Sequence, residues 1–318
     1  MNDVAQVSPA THALRCEGLV KRYGDVAAVS GLTLEVRAGE CFGMLGPNGA
    51  GKTTTVEIFE GLRIPDAGEV EVLGERWRGD GLALRARLGI QLQETKFPEK
   101  LKVREVLALF RSLYTRGFDV GDVLAMVSLE EKAGAHVRTL SGGQKQRLSL
   151  ACALVGDPEV VFLDEPTTGL DPQSRRQTWE IVEGLKVRGR TVLLTTHYME
   201  EASRLCDRVA VIDHGKVIAL GTPRDLIASL GAEHVIEFAV GEAPAAIEDG
   251  MLRALPSVEH VAHDEGTWRL TVREVHKAVP ALLAALSERG AEPTELTTHH
   301  ATLEDVFMSL TGRRLRDG

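Results

Sequence analysis

The stretch Gly46–Thr53, which reads GPNGAGKT, constrains the fold of this 318-residue chain more than any other feature. It fits the pattern G-x-x-x-x-G-K-[ST], in which glycines let successive backbone N–H groups turn inward and cradle phosphate oxygens. The apolar run Cys41–Leu45 precedes it and predicts a buried strand, and a helical pattern begins near Gly51. A strand, a glycine-rich turn and a helix in that order predict a P-loop that binds nucleotide.

A second, acidic segment completes the predicted nucleotide site. Lys52 is placed to reach the β- and γ-phosphates of ATP, and the Thr53 hydroxyl to bind Mg²⁺. The apolar run Val160–Leu163 predicts a buried strand that ends in Asp164 and Glu165, whose carboxylates are costly to bury unless they meet a cation or a proton-carrying substrate. We expect Asp164 to hold Mg²⁺ and Glu165 to polarise the water that attacks the γ-phosphate. The residues assigned to phosphate binding here are Gly46, Pro47, Asn48, Gly49, Ala50, Gly51, Lys52, Thr53 and Thr54.

Composition excludes several classes of protein. Apolar residues make up 43% and charged residues 26% of the chain, which is ordinary for a protein that buries a core. No apolar run approaches the roughly 18 to 20 residues that cross a bilayer, and the polar N-terminus does not read as a signal peptide. The net charge of −9 argues against nucleic-acid binding. The four cysteines, Cys16, Cys41, Cys152 and Cys206, form no C-x-x-C pair and are expected to be reduced, as in a cytosolic protein.

The patterning predicts two domains. Glycine-broken apolar pieces over residues 12–36 predict antiparallel strands, and the β-branched runs Val160–Leu163, Val192–Leu194 and Val209–Ile212 predict a parallel sheet with crossover helices. Apolar spacing over residues 102–114 predicts a helix. Beyond Pro223 the pattern and the charge change, because residues 225–318 carry sixteen acidic side chains against eight basic ones. We place the domain boundary between residues 224 and 225.

Residues 225–318 predict a small α+β unit without a chemical motif. Alternation of apolar residues predicts strands at 236–240 and 268–272, and helical spacing predicts two amphipathic helices. The first helix is expected to bury Val275, Val279, Leu282, Leu283 and Leu286 on one face, and the second Leu303, Val306, Phe307 and Leu310. The histidines His299-His300 and His260…His263 have no acidic or cysteine partners at ligand spacing, so a metal site is not expected there.

The segment Leu140–Gln144, which reads LSGGQ, adds a family resemblance. Together with the P-loop, the acidic pair and His197, it resembles the signature of the ATP-binding cassette (ABC) ATPases over residues 12–224. The resemblance implies an α/β P-loop ABC fold, with a mixed-sheet core, an antiparallel β subdomain and a helical subdomain that carries the signature, followed by the small C-terminal domain. Ser141 is in addition a good helix N-cap, and Gly142 and Gly143 leave backbone N–H groups open to an anion.

Four further matches occur in the family's order. Tyr23 looks like the aromatic residue that stacks on adenine, and Gln93 like the glutamine that senses Mg²⁺ and the attacking water, although Gln91 lies two residues away. Asp171 lies where the family has its D-loop, and His197 resembles the switch histidine that contacts the γ-phosphate. The resemblance therefore implies Glu165, His197 and Gln93 as catalytic residues, with Gln93 also near the metal. The remaining nucleotide contacts that it implies are Tyr23, Ser141, Gly142, Gly143, Gln144 and Asp171.

The resemblance also implies partners. A chain with one set of motifs needs a second copy, because the family sandwiches two ATP molecules head to tail between the P-loop of one subunit and the signature of the other. The stretch after His197 and the ending Leu303–Gly312 look like the ATPases of drug-resistance exporters of the daunorubicin-resistance type, in which the permease is a separate polypeptide. The expected function is to power export of a substrate such as a drug or another hydrophobic compound, from the cytoplasmic face of the membrane. Residues near Gln93 and in the 102–114 helix would face the permease, and residues 225–318 would stabilise the dimer or regulate it.

Two other functions stay open at this point. One is the ATPase of an ABC importer, whose tail often holds a ligand-binding regulatory barrel. The other is an ABC protein that acts on DNA or ribosomes without a permease, although such proteins usually carry two cassettes, long insertions or basic arms that are not seen in this sequence.

Overall fold

The computed structural model describes residues 12–92, 95–241, 247–264 and 266–312 and divides the chain into two compact units, Met1–Val217 and Ile218–Gly318. The strands are β1 (His12–Tyr23), β2 (Val26–Arg37), β3 (Cys41–Leu45), β4 (Ala67–Val72), β5 (Leu88–Gln91), β6 (Val160–Asp164), β7 (Thr191–Thr196), β8 (Arg208–Asp213), β9 (Lys216–Gly221), β10 (His234–Val240), β11 (Val258–Asp264), β12 (Thr267–Val272) and β13 (Pro293–His300).

Helices connect many of these strands. They are α1 (Lys52–Phe59), α2 (Leu82–Arg85), α3 (Val103–Arg111), α4 (Val120–Met126), α5 (Gly142–Leu154), α6 (Pro172–Val187), α7 (Met199–Leu205), α8 (Pro223–Ala228), α9 (Asp249–Arg253), α10 (Val275–Ser287) and α11 (Leu303–Thr311). Short 3₁₀ turns occupy Glu130–Lys132 and Val137–Thr139. In the described ranges, no helix is long and apolar enough to cross a membrane.

The larger unit contains two sheets. Strands β2, β1 and β4 form an antiparallel sheet in that order, so the antiparallel strands predicted over residues 12–36 are confirmed. The second sheet has six strands in the order β5-β6-β7-β3-β8-β9, and the pairs β5–β6, β6–β7, β7–β3 and β3–β8 are parallel. Every residue of β3, β6 and β7 is buried, as expected for central strands of a parallel sheet covered on both faces.

This strand order determines where the site lies. Strands β6, β7 and β3 are neighbours and run in one direction, so their carboxyl ends meet at one edge of the sheet. The P-loop leaves β3 at that edge, Asp164 ends β6, and Thr196 ends β7 just before His197. Ligands bind beyond the carboxyl ends of the strands in such sheets.

The helical part of the larger unit is built around α5. Helices α3 and α4 pack against it, and the residues it buries include Leu148, Leu150 and Leu154. The helix predicted over residues 102–114 is observed as Val103–Arg111, so its last predicted turn is not helical.

The smaller unit follows the order β-α-β-β-α-β from β10 to β13. Its strands pair antiparallel in the order β11-β12-β10-β13, which is the ferredoxin-like arrangement of an α+β unit. Ile236, Phe238 and Leu270 of the sheet pack with Leu282 and Leu286 of α10 in one core. The strands predicted at 236–240 and 268–272 are therefore confirmed, whereas β13 was not predicted because most of its residues are polar and exposed.

Two details of the helical faces are wrong in the sequence-based prediction. Leu283 of α10 and Leu310 of α11 are 42% and 49% exposed. Ala278 and Met308 are buried instead. Ala278 lies one helical turn before Leu282, and Met308 follows Phe307, so both belong to the core face of their helix.

Two pairs of rings are in contact in the smaller unit. The rings of His263 and Trp268 stack with centroids 4.2 Å apart, and those of His234 and His300 lie 4.7 Å apart.

Candidate nucleotide site

The P-loop is held tightly between two strands, and this packing requires glycine. A Cβ on Gly46 would lie 2.2 Å from the Ile212 carbonyl oxygen, and one on Gly51 would lie 2.2 Å from the Ala28 carbonyl oxygen. Gly51 also adopts φ 100°, a conformation that other residues rarely take. The turn between them leaves Asn48 and Gly49 exposed, while the Ala50 N–H donates to the Pro47 carbonyl oxygen at 3.1 Å. Exposed backbone N–H groups in such a turn are available to an anion.

Lys52 begins α1 and turns back over the loop. Its Nζ donates hydrogen bonds to the carbonyl oxygens of Gly46 at 2.8 Å and Pro47 at 3.1 Å, and it lies 3.9 Å from Glu165 Oε1. Burial lowers the pKa of Lys52, and the carboxylates of Glu165 and Asp164 act in the opposite direction. The lysine is thus a buried cation held at the mouth of the loop, where the β- and γ-phosphates are expected.

Asp164 and Thr53 supply oxygen atoms suited to Mg²⁺. The Thr53 hydroxyl lies 3.3 Å and 3.2 Å from the two carboxylate oxygens of Asp164, and the Thr195 hydroxyl donates a short hydrogen bond to the same carboxylate. Burial raises the pKa of Asp164, while the hydrogen bonds from Thr195 and Thr53 lower it. A hydroxyl and a carboxylate oxygen at this separation are the ligand chemistry that Mg²⁺ prefers, so the residues present fit the metal.

Glu165 follows Asp164 in a sharp turn with φ 47°, a left-handed conformation that is costly for a non-glycine residue. Its backbone N–H donates to the Thr195 hydroxyl at 3.0 Å, and its Oε2 accepts a hydrogen bond from Thr168 Oγ1 at 3.1 Å. His197 Nδ1 lies 3.5 Å from Oε2. The contact with His197 is the main reason that the pKa of Glu165 lies below its ordinary value, which favours the charged form of the carboxylate.

Tyr23 lies at the end of β1, in the hairpin that pairs it with Val26. Its ring is 43% exposed, and the cationic groups of Lys21 and Arg63 lie 5.9 Å from the ring centroid. The following strand passes Gly51 at Ala28, so the hairpin brings Tyr23 to the P-loop side of the unit. An exposed aromatic face here is compatible with the predicted adenine contact.

The signature segment forms the start of α5, as the N-cap prediction requires. Ser141 Oγ accepts a hydrogen bond from Gln144 N at 3.3 Å, and Gln144 Oε1 accepts one from Ser141 N at 3.0 Å, so the two residues form a capping box. A Cβ on Gly143 would lie 2.2 Å from Ser174 Oγ, which donates to Asp171 Oδ2 at 2.7 Å. The signature and the Asp171 segment are therefore neighbours.

The structure brings together some predicted residues but not all of them. Lys52, Thr53, Asp164, Glu165 and His197 converge at the P-loop. In the part of the chain that the structure describes, the hydrogen bonds of the signature residues Ser141, Gly142, Gly143 and Gln144 stay within α5 and do not reach the P-loop.

The remaining residues of the sequence-based prediction are Gln93, its alternative Gln91, and Thr54. Gln93 lies outside the described residues. Gln91, its competitor in the sequence, is 1% exposed within β5. Thr54 is partly buried in the first turn of α1.

Sequence reasoning missed two threonines of the site. Thr195 joins Asp164 to the backbone of Glu165, and Thr168 contacts the Glu165 side chain. Thr168 carries a weak signal, since it lies in the turn directly after the acidic pair. Thr195 carries none, because a threonine in a β-branched strand is expected from strand propensity alone.

Comparison with known proteins agrees with this geometry. Residues 29–168 match the family model described as "ABC transporter", and residues 221–311 match the model described as "ATP-binding protein DrrA1-3-like, C-terminal domain". The chain is 43% identical over 316 residues to the Nod factor export ATP-binding protein I of Ralstonia nicotianae, covering 97% of this chain and 96% of that protein. It is 40% identical over 317 residues to the daunorubicin resistance ATP-binding protein DrrA3 of Streptomyces coeruleorubidus, covering 97% and 99%.

Solved structures show the same fold in the larger unit. An ATP-binding subunit of an ABC transporter matches with a TM-score of 0.62 at 28% identity, covering 69% of this chain and 93% of that chain. A dimeric ATP-binding cassette bound to ADP and Pi matches with a TM-score of 0.60 at 25% identity, covering 66% and 98%. A P-loop, an acidic strand end and a signature helix on this fold define an ATPase of the cassette class. The chain belongs to the ATP-binding subunits of the ABC transporter family, and the predicted fold class and the resemblance to daunorubicin-resistance ATPases are confirmed.

Proposed function

We propose that this chain is the subunit that binds and hydrolyses ATP to power export through a separate membrane permease, at the cytoplasmic face of the membrane. The observation that carries the proposal is the convergence on the P-loop of Lys52, Asp164 and Glu165, with His197 Nδ1 3.5 Å from Glu165 Oε2. The printed names of the relatives, Nod factor export and daunorubicin resistance ATP-binding proteins, support export over import. A drug or another hydrophobic compound is the proposed class of cargo.

The residues around the P-loop take the following roles. The loop N–H groups and Lys52 bind the phosphates, and the exposed ring of Tyr23 takes the adenine. Thr53 and Asp164 would hold Mg²⁺, which would neutralise part of the phosphate charge. Gln93 lies outside the described residues and is proposed to sense the metal, as the resemblance implies.

Glu165 and His197 carry the chemical step. Glu165 accepts the proton of the attacking water, since its side chain lies beside Lys52 at the phosphate end of the loop. The lowered pKa of Glu165 favours the charged form that this role requires. His197 orients the Glu165 carboxylate and contacts the γ-phosphate.

A second copy of the chain completes the site in this proposal. Ser141 and Gly142 are exposed at the N-terminus of α5, a helix of 13 residues whose first N–H groups carry partial positive charge. The P-loop already has its own helix N-terminus at α1, so the anion partner of α5 is the γ-phosphate on another subunit. Asp171, which caps α6 beside Gly143, lies at the same surface. Closure and opening of this head-to-tail dimer would drive the permease.

The roles of the two domains, their boundary and the surface that faces the permease are also proposed. We assign residues 12–224 to the nucleotide-binding domain and residues 225–318 to an accessory domain that supports dimerisation or regulates it. The structure divides the chain at residue 217, a few residues before this boundary and within β9. The surface around Gln93 and α3 is proposed to face the permease.

The test is reconstitution with the membrane protein encoded beside this chain's gene. Inverted membrane vesicles that contain both proteins should take up cargo when ATP is added, and vesicles with the Glu165→Gln chain should not. Cargo release that needs an extracytoplasmic binding protein would assign the chain to an importer. ATPase activity with no membrane partner in a pull-down would favour an ABC protein without a permease.

A further inference from the structure

One buried carboxylate outside the P-loop cluster lies behind the catalytic residues. Glu201, in α7, is fully buried at 0% exposure. Its Oε1 accepts two hydrogen bonds, from Thr167 Oγ1 at 2.9 Å and from Trp179 Nε1 at 3.0 Å. A carboxyl group is expensive to bury, so its place here is explained by the groups that it holds.

The first donor belongs to the turn that carries Glu165. Thr167 lies two residues after Glu165, and its carbonyl oxygen accepts the N–H of Leu170 at 3.2 Å. The adjacent Thr168 donates its hydroxyl to Glu165 Oε2 at 3.1 Å. Fixing Thr167 therefore fixes the turn that aims the proposed base, which has an unfavourable positive φ and needs support from its surroundings.

The second donor belongs to α6, the helix that begins at Asp171. Trp179 is 3% exposed and projects its indole N–H onto Glu201. Because a helix is a stiff element, this bond also restrains the Asp171 segment two turns earlier, where Asp171 accepts the N–H groups of Gln173 and Ser174.

Glu201 itself lies on α7, which begins at Met199 and so directly follows the His197 turn. Burial raises the pKa of Glu201, and the hydroxyls of Thr196 and Thr167 and the indole of Trp179 act in the opposite direction. The Thr196 hydroxyl also accepts the N–H of Tyr198 at 2.9 Å, which closes the turn around His197.

We propose that Glu201 is a positioning residue for ATP hydrolysis, which holds the Glu165 turn and the Asp171 helix in register through one shared acceptor on α7, the helix that begins two residues after His197. The inference rests on the proposed roles of Glu165 and His197. A buried acceptor shared by several segments couples their positions, because moving any one segment leaves a polar group unpaired.

The expected kinetic signature is a loss of turnover without a loss of ATP binding. Thr167→Val removes one donor at nearly constant volume, and we expect kcat to fall by up to about 100-fold, the cost of a displacement on the order of 1 Å in a catalytic group. KM for ATP should stay at its wild-type value, since among the described residues the hydrogen bonds of Glu201 run to Thr167 and Trp179 and not to the P-loop. Thr167→Ser should restore the rate because it returns the hydroxyl.

Substitutions of Glu201 show whether its role depends on its hydrogen-bond acceptor or on its negative charge. Glu201→Gln keeps an oxygen that accepts both bonds and should retain most of the activity, whereas Glu201→Ala should not. Glu200→Ala, at an exposed neighbour on the same helix, is the matched control and should behave like wild type. If Glu201→Ala fails to fold, Thr167→Val and Trp179→Phe carry the test. A Glu201→Gln protein as inactive as Glu201→Ala would overturn the acceptor role.

A double-mutant cycle separates positioning from general destabilisation. In full-length protein that already carries Glu165→Gln, Thr167→Val should cost much less of the remaining turnover than in the wild type, because the base that the Thr167 turn positions is gone. Equal fold-losses in both backgrounds would overturn the proposal. If His197→Ala and Glu165→Gln themselves hydrolyse ATP at the wild-type rate, the proposed catalytic site fails instead, whatever the Thr167 variants do.

Discussion

Replacing Glu165 by glutamine separates ATP binding from ATP hydrolysis. The amide keeps the size of the side chain and an oxygen that can accept the Thr168 hydroxyl, now 3.1 Å from Oε2. It cannot accept a proton from water. The contacts that hold the phosphates, Lys52 and the loop N–H groups, are unchanged. The structure therefore predicts a protein that folds and binds ATP but turns it over slowly.

The size of the effect follows from the role of the group. General-base catalysis contributes about 10²- to 10⁴-fold, or roughly 3–5 kcal/mol of transition-state stabilisation, so kcat should fall by that factor. ATP affinity should be retained or rise. Glu165 Oε1 lies 3.9 Å from Lys52 Nζ, and neutralising it removes a negative charge that competes with the phosphates for the lysine.

The assay combines phosphate release at saturating ATP and Mg²⁺, calorimetric ATP titration, and size-exclusion chromatography with ATP present. Because hydrolysis no longer reopens the dimer, Glu165→Gln should elute with more dimer than wild type. Glu180→Gln, the same chemical change at an exposed position of α6, should match wild type in all three measurements. A Glu165→Gln protein that stays monomeric with ATP and turns over normally would refute the assignment of Glu165 as the base.

Three further predictions concern the loop, the signature and the tail. Lys52→Ala should weaken ATP binding by about 10- to 100-fold, since a charge-assisted hydrogen bond contributes about 1.5–3 kcal/mol, and unchanged ATPase activity in the folded variant would contradict the P-loop assignment. Ser141→Arg should abolish hydrolysis while monomers still bind ATP in an equilibrium titration, and loss of monomer binding would contradict a role across the dimer. Truncation after Pro223 should leave a cassette that binds ATP with wild-type affinity but dimerises or supports export less well. If the truncated chain loses ATP binding, the proposed domain boundary is wrong. If its dimerisation and export are unchanged, the proposed accessory role is wrong.

The fold could be predicted where the apolar pattern of the sequence agrees with the burial of the same residues in the structure. The strands β3, β6, β7 and β8 are short β-branched or apolar runs, and their buried positions leave little choice of structure. The polar strand β13 and the exposure of Leu283 were not predictable. In both cases tertiary packing determines the structure rather than the local pattern. Strand β13 is held by pairing with β10, and Leu283 points away from the core that Leu282 and Leu286 occupy.

The site was predictable to the extent that its residues lie in contiguous motifs. Lys52, Thr53, Asp164 and Glu165 each belong to a short segment whose spacing carries the chemistry. Glu201 does not, because its partners lie 34 and 22 residues away in sequence and meet only in the folded chain. A single sequence carries no sign that a glutamate in an ordinary helix is buried behind the turns of Glu165 and His197.

The pKa values of the two adjacent carboxylates of the site, Asp164 and Glu165, are shifted in opposite directions, and this difference agrees with the separate roles proposed for them. Burial raises the pKa of Asp164, whereas the contact with His197 lowers that of Glu165. A buried carboxylate with a raised pKa gains most from a cation, since the cation restores the charged form, and Asp164 accordingly faces the Thr53 hydroxyl. A lowered pKa favours the charged carboxylate, which is the form that the proposed base needs in order to accept a proton. Neighbouring groups with pKa values moved apart are how one site serves a metal and a base at the same pH.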